Sequence, residues 1–278
     1  MIIMKIFAIF GDPIEHSLSP AMQNAALRAL GEDGCYHAFR VSQKDLEAAL
    51  RGAAAMRFSG LNLTIPLKEK ALELDFLKLD PLARAIGAVN TVAFGPQGAT
   101  GYNTDGWGAL LALQDAGVVV RGRNVLIIGA GGAARAIAYT LKQEGAEISI
   151  ANRNEKRAEE LAACVGTRGY SLMELERLVP QADIIINCTS VGMRAGDPRL
   201  LETRLLQSRQ AVFDIVYNRE TQLLKDARAA GAVAVDGVMM LVYQGAKALE
   251  IWTGKKAPSD VMERAVREAL VSGQAGGG

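Results

Sequence analysis

Apolar runs alternate along the chain with segments whose apolar positions recur at helical spacing, and short clusters of glycine, proline, asparagine or aspartate separate them. Ile2 to Phe10 reads as a buried first strand that ends at Gly11-Asp12-Pro13. A helix is expected from Ser19-Pro20 to about Leu30, with Ser19 as N-cap and proline at the first helical position. Tyr36 to Val41 and Ser59 to Ile65 read as strands with a helix from Lys44 to Gly52 between them, and Pro66 opens another helix. Val89 to Phe94 and the residues near Gly101-Tyr102 read as short strands around the turn Gly95-Pro96-Gln97-Gly98. Asp105-Gly106 caps a helix that reaches about Ala116. Further strands follow at Val125 to Ile128, Glu147 to Ala151, Ile184 to Cys188, Ala211 to Val216 and Ala232 to Val235, and the last helices run from Met239 to Trp252 and from Ser259 to Leu270. Gly273 to Gly278 reads as a frayed tail.

Strands alternating with helices build parallel sheets covered by helices, so the expected fold class is α/β with two domains. An N-terminal, mainly parallel α/β domain takes residues 1–104, a Rossmann-type domain takes 105–237, and the helices of 238–278 return to the first domain.

The Rossmann assignment rests on Gly129-Ala130-Gly131-Gly132-Ala133-Ala134, which lies between an apolar strand and an amphipathic helix. Gly129 permits a tight turn, Gly131 lets backbone N–H groups reach a pyrophosphate, and Ala134 is small enough for close helix–strand packing. The helix N-terminus adds free donors and partial positive charge. The next strand ends in Asn152-Arg153-Asn154, with Arg157 a helical turn on. Arginine matches a ribose 2′-phosphate, whereas an acidic residue there would bind the free hydroxyl of NAD; Glu147 begins its strand and should sit far from the ribose. NADP is therefore the expected cofactor.

Composition narrows the remaining classes. A formal net charge of +1 gives no support for a nucleic acid or a membrane surface as partner. Cys35, Cys164 and Cys188 are odd in number and form no C-x-x-C pair, so neither a disulfide framework nor a zinc site is indicated and a cytoplasmic location is expected. His16 and His37 are the only histidines, which leaves few candidates for a His-based metal site or triad, and no metal is expected. The apolar Met1–Phe10 segment is interrupted by Lys5 and is too short to span a bilayer. The oligomeric state stays open, a homodimer included.

Chemistry must come from the first domain, where three clusters qualify. Ser17 and Ser19 place two hydroxyls before a helix N-terminus, a receptor for a small carboxylate; Ser19 alone also reads as a cap, whereas Ser17 has no such structural reason. In Asn62-Leu63-Thr64-Ile65-Pro66-Leu67-Lys68, strand alternation points Asn62 and Thr64 the same way, and Lys68 falls in a first helical turn. The helix dipole disfavours a cation there, which suits the lysine to proton transfer. The third cluster is Gly87-Ala88-Val89-Asn90-Thr91 with Tyr102-Asn103-Thr104-Asp105-Gly106, in which Asp105 reads equally as an N-cap.

Taken in order, Ser17-Leu18-Ser19, Asn62 to Lys68, Gly87 to Thr91, Asn103 to Gly106, Gly129 to Ala133, Asn152-Arg153, Asn187-Cys188-Thr189-Ser190-Val191-Gly192-Met193 and Gln244-Gly245 closely resemble the shikimate dehydrogenase family. The match runs from Phe10 to about Trp252. The resemblance implies NADPH-dependent reduction of 3-dehydroshikimate to shikimate, toward aromatic amino acids, in a cleft between the domains. It implies Lys68 and Asp105 as the catalytic pair and Ser17 and Ser19 as the carboxylate receptor. Asn62, Thr64, Asn90 and Asp105 would bind ring hydroxyls, and Tyr217 and Gln244 would close the pocket. Gly129, Ala130, Gly131, Gly132 and Ala133 would hold the pyrophosphate, and Asn152, Arg153, Asn154 and Arg157 the adenosine phosphate. Thr189, Ile215, Gly237 and Met240 would line the ribose and nicotinamide. A quinate/shikimate dehydrogenase and a non-catalytic NADPH-binding regulator are the rival readings. The Tyr243…Lys247 spacing of short-chain reductases is coincidental, since their glycine turn lies near the N-terminus.

Overall fold

The computed structural model describes residues 4–273, which divide into two compact units, 4–105 with 241–273, and 106–240. Ile2 and Ile3 of the expected first strand, and the tail beyond Gly273, lie outside the described residues.

In the first unit the chain runs β1 (Lys5–Gly11), α1 (Ser19–Ala29), β2 (Gly34–Arg40), α2 (Leu46–Ala55), β3 (Gly60–Leu63), α3 (Leu67–Lys70), β4 (Leu77–Leu79), α4 (Pro81–Ile86), β5 (Thr91–Gly95) and β6 (Gly98–Tyr102). The sheet order is β2-β1-β3-β5-β6-β4. β1 pairs in parallel with β2 and β3, and β4 with β6, while β3–β5 and β5–β6 are antiparallel. The sheet is therefore mixed. The β5–β6 pair is antiparallel because Gly95 pairs with Gly98 across a hairpin too short for a crossover. Phe10, Leu46, Leu50, Leu61, Leu63 and Leu67 form its buried core.

Two local expectations are corrected. Ser19 is the first residue of α1, not its N-cap; Leu18 holds that position, and Ser17 Oγ accepts the Ser19 N–H at 3.3 Å, so Ser17 has a structural role after all. The helix expected from Lys44 starts as a single 3-10 turn, Gln43–Asp45, and becomes α-helical only at Leu46.

The second unit continues through α5 (Asp105–Asp115), β7 (Asn124–Ile128), α6 (Gly132–Gln143), β8 (Glu147–Asn152), α7 (Glu155–Val165), β9 (Arg168–Ser171), α8 (Leu175–Leu178), β10 (Ile184–Asn187), β11 (Ala211–Asp214), α9 (Gln222–Ala229) and β12 (Val233–Val235). Its order is β12-β11-β10-β7-β8-β9, with every pair parallel. This is the doubly wound arrangement, whose switch point between β7 and β10 leaves a crevice at the carboxyl ends of the strands. Val125, Leu126, Ile127 and Ile128 are all buried, as expected for a strand covered on both faces.

α5 and α6 touch at Gly106, where an added Cβ would lie 2.1 Å from Thr140 Oγ1 and 2.5 Å from the Ala136 carbonyl oxygen. Backbone on a neighbouring helix cannot yield as a side-chain tip can. Gly106→Ala should therefore cost roughly 3 kcal/mol, read as a melting temperature lower by roughly 6–12 °C; an unchanged melt would show that the two helices can separate freely.

The last helices, α10 (Val238–Thr253) and α11 (Ser259–Val271), complete the first unit. α11 packs on α1, and Gln23 Nε2 donates to the Gly245 carbonyl at 2.9 Å. Trp252 Nε1 donates to the Val92 carbonyl at 3.0 Å while its ring stacks on Phe7 with centroids 5.1 Å apart. Among the described residues no helix is long and apolar enough to cross a membrane.

Candidate active site

β1 and β3 are neighbours, with Phe10 opposite Leu63, so the loops that leave them emerge side by side. The first carries Ser17 and Ser19, the second Thr64 and Lys68. The second loop is held by backbone bonds: Thr64 N–H to Phe10 (2.9 Å), Asp12 N–H to Ile65 (3.0 Å) and Leu67 N–H to Thr64 (2.8 Å). The Val89 N–H donates to the Lys68 carbonyl at 2.8 Å and fixes that residue's backbone.

Lys68 Nζ donates to Asp105 Oδ2 at 2.6 Å, with the two side chains 16% and 4% exposed. α3 runs for only four residues, so the dipole that a longer helix would set against Lys68 is small, and the carboxylate governs the ammonium. Asp105 opens α5, yet it is Asn103 Oδ1 that accepts the Asp105 N–H at 3.0 Å. The carboxylate of Asp105 is thereby free to receive Lys68 on one oxygen and Asn90 Nδ2, at 2.8 Å, on the other.

Asn90 is the hub of this cluster. Its Oδ1 accepts from the Thr104 N–H and from Thr91 Oγ1, both at 2.9 Å, and its Nδ2 also reaches Thr104 Oγ1 at 2.9 Å and Gln244 Oε1 at 3.4 Å. Asn62 is tied in behind it: Nδ2 donates to the Asn90 carbonyl (3.1 Å) and Thr91 Oγ1 (3.0 Å), and Oδ1 accepts from Tyr36 OH (2.7 Å). Lys68, Asp105, Asn90, Gln244 and Asn62 thus share one hydrogen-bonded cluster. Tyr217 belongs to the second unit. Sequence reasoning missed Tyr36, Thr91 and Thr104 as supports. Tyr36 is the one buried residue of an otherwise partly or fully exposed edge strand, so nothing in the strand's pattern marked its hydroxyl as a support.

In the second unit Gly129 adopts φ +118, open to few other residues, and a Cβ there would stand 3.0 Å from the Cys188 backbone. Gly131 is the N-cap of α6, with no side-chain capping bond, and a Cβ there would meet nothing within 4 Å. The first-turn N–H groups of α6 therefore face an open approach, which fits a pyrophosphate. Ala134 is buried, as the third position of the motif requires. Past β8, Asn152 Nδ2 donates to the Asn154 carbonyl at 3.0 Å, and Asn154 Oδ1 caps α7 by accepting the Arg157 N–H at 3.4 Å. Arg153 and Arg157 are exposed. Thr189 follows β10 and Ile215 follows β11, while Gly237 packs so tightly that a Cβ would lie 2.3 Å from the Ile215 carbonyl oxygen. Met240 is buried on α10. Among the described residues no group of three or more His, Cys, Asp or Glu side chains could hold a metal ion.

Three family models match in succession: the shikimate dehydrogenase substrate binding domain over residues 9–92, shikimate/quinate 5-dehydrogenase over 111–241 and the shikimate 5′-dehydrogenase C-terminal domain over 237–267. The shikimate dehydrogenase (NADP(+)) of Methanothrix thermoacetophila is 58% identical over 267 residues, which cover 96% of this chain and 98% of the relative. The crystal structure of shikimate dehydrogenase from Aquifex aeolicus is similar with a TM-score of 0.90 at 38% identity, covering 96% of this chain and all of that one (100%). A Thermus thermophilus shikimate 5-dehydrogenase, solved with NADP(H) and shikimate, gives a TM-score of 0.87 at 38% identity, over 96% and 100% of the two chains. With the likeness running through both units at more than half identity, the chain belongs to the shikimate dehydrogenase family.

Proposed function

We propose that the protein reduces 3-dehydroshikimate reversibly to shikimate with NADPH, in the route to aromatic amino acids, and that Lys68 and Asp105 do the proton chemistry. The observation that carries this reading is the 2.6 Å contact between a lysine and an aspartate that are mostly withdrawn from water. Bound NADPH supplies hydride to the carbonyl carbon. The carbonyl oxygen then gains negative charge, which the Lys68 ammonium stabilises and neutralises by giving it a proton. Asp105 holds that ammonium in place and accepts from a ring hydroxyl, and Asn90 keeps its carboxylate oriented.

Ser17 and Ser19 take the substrate carboxylate. Thr64, Asn90 and Asn62 meet the ring hydroxyls; Asn62 does so as an acceptor, since its amide hydrogens are both donated and Oδ1 keeps a second lone pair beside the Tyr36 bond. Gln244, which Asn90 Nδ2 reaches at 3.4 Å, borders the substrate pocket in the first unit. The open N-terminus of α6 at Gly129, Ala130, Gly131, Gly132 and Ala133 receives the pyrophosphate, and Asn152, Arg153, Asn154 and Arg157 the adenosine phosphate. Thr189, Ile215, Gly237 and Met240 line the ribose and nicotinamide. None of Cys35, Cys164 and Cys188 is in a disulfide, which suits a reducing cytoplasm.

The test is spectrophotometric reduction of NADP⁺ with shikimate, repeated with NAD⁺ and with quinate. Turnover with shikimate and NADP⁺ far above the other combinations is expected. Comparable turnover with quinate would make the protein a quinate/shikimate dehydrogenase, a reading favoured by the joint name of the model over residues 111–241. No turnover with any combination would leave a cofactor-binding regulator.

A further inference from the structure

Asp214, the last residue of β11, has 0% of its surface exposed and is surrounded by uncharged donors. Its Oδ1 accepts from Asn187 Nδ2 at 2.9 Å and from the Val216 N–H at 3.1 Å, and its Oδ2 accepts from Thr221 Oγ1 at 2.7 Å. Burial raises its carboxyl above the usual range despite these three donors. A fold seldom keeps such a group in its interior without using the geometry that it imposes.

That geometry spans three segments. Asn187 pairs with Asp214 in the parallel register of β10 and β11, so the two side chains meet at the carboxyl edge of the sheet. The other Asn187 amide hydrogen goes to the Val191 carbonyl (3.0 Å), and its Oδ1 receives both the Thr189 N–H (3.0 Å) and Thr189 Oγ1 (2.7 Å). Asn187 thereby sets the turn that carries Thr189, and Asp214 sets Asn187. Through the Val216 N–H the same carboxylate fixes the chain just after Ile215, whose carbonyl bears on Gly237. Through Thr221, the N-cap of α9, it anchors where that helix begins.

We propose that Asp214 is a positioning residue for the nicotinamide half of the cofactor: it touches no reacting atom, and it locks the loops of Thr189 and Ile215 into one arrangement. The proposal rests on the reading that these loops receive the ribose and nicotinamide. It requires hydrogen bonds from position 214 rather than a charge, so asparagine should serve, with its carbonyl toward Asn187 and Val216 and its amide toward Thr221.

The experiment titrates wild type, Asp214→Ala, Asp214→Asn and Thr221→Val with NADP⁺ and with adenosine 2′,5′-bisphosphate, which lacks the nicotinamide half. Steady-state KM values for NADP⁺ and shikimate are measured alongside. Asp214→Ala should weaken NADP⁺ by roughly tenfold, the loss of about one hydrogen bond's worth of positioning, with adenosine 2′,5′-bisphosphate affinity and the shikimate KM unchanged. Asp214→Asn should recover most of the loss, and Thr221→Val should show the same selective pattern more weakly, which keeps the test alive where the alanine variant fails to fold. Equal weakening of both nucleotides, or NADP⁺ affinity unaltered in the folded variants, would overturn the proposal. A wild type that fails to bind adenosine 2′,5′-bisphosphate would instead overturn the cofactor assignment beneath it, and the proposal with it.

Discussion

Lys68→Ala is expected to lower kcat for reduction of 3-dehydroshikimate by about two to four orders of magnitude, the span over which a positioned proton donor contributes, while the KM for 3-dehydroshikimate stays within about threefold. The reasoning is differential. The ammonium interacts with a neutral carbonyl in the ground state and with developing negative charge in the transition state, so its removal is felt mainly in the chemical step. The substitution also leaves Asp105, only 4% exposed, without its cation. Some stability is lost on that account, and a melting curve recorded beside the kinetics separates it from the catalytic effect. A large rise in KM at unaltered kcat would make Lys68 a substrate anchor and remove it from the proton chemistry.

Replacing Arg153 and Arg157 together by alanine should raise the KM for NADP⁺ by roughly 10–100-fold, since the charge-assisted contacts of the pair with a phosphate at an exposed site are together worth about 1.4–2.8 kcal/mol, and should leave turnover with NAD⁺ where it was. Both arginines are exposed beside the end of β8, and Asn154 fixes the start of the helix that carries Arg157. Measuring kcat/KM with both cofactors gives the selectivity ratio directly. An equal loss with NADP⁺ and NAD⁺ would mean that the arginines serve the pyrophosphate or the fold, and the basis for preferring the phosphorylated cofactor would have to lie elsewhere.

The parts of this molecule that can be read from its sequence share a physical cause. β7 declares itself because a strand covered on both faces is continuously apolar, and the turn after it declares itself because a phosphate-binding backbone excludes side chains at fixed spacing. β4 escapes notice because Leu77-Lys78-Leu79 is too short to establish a period, and β9 because an edge strand of Arg168 to Ser171 has no buried face to mark it. α4 could have been found: Asp80 caps it by accepting the Leu82 N–H, Pro81 starts it, and Gly87 at φ +73 ends it.

At the site, Lys68 and Asp105 were identifiable from their motifs, but the supports behind them were not. The bond from Tyr36 to Asn62 joins residues 26 positions apart, and the one from Asn187 to Asp214 joins residues 27 apart. The first reaches across β1, which lies between β2 and β3, and the second joins the neighbouring strands β10 and β11; both depend on strand order and register, of which pattern along one strand carries no record. The one-residue error at Ser19 has a different origin. Serine is favoured at several positions around a helix start, so its presence marks the neighbourhood and not the position.

The division of the chain also orders its birth. Gly106–Met240 is one uninterrupted stretch, so that unit is complete while the ribosome still holds the remainder. The other unit must wait for Leu241 onward, because Trp252 caps its sheet through Val92 and Gln244 reaches Asn90. A nascent chain released before residue 241 would carry both Lys68 and Asp105 and still lack the walls that shelter them, so truncated products should be inactive and sticky, not partly competent.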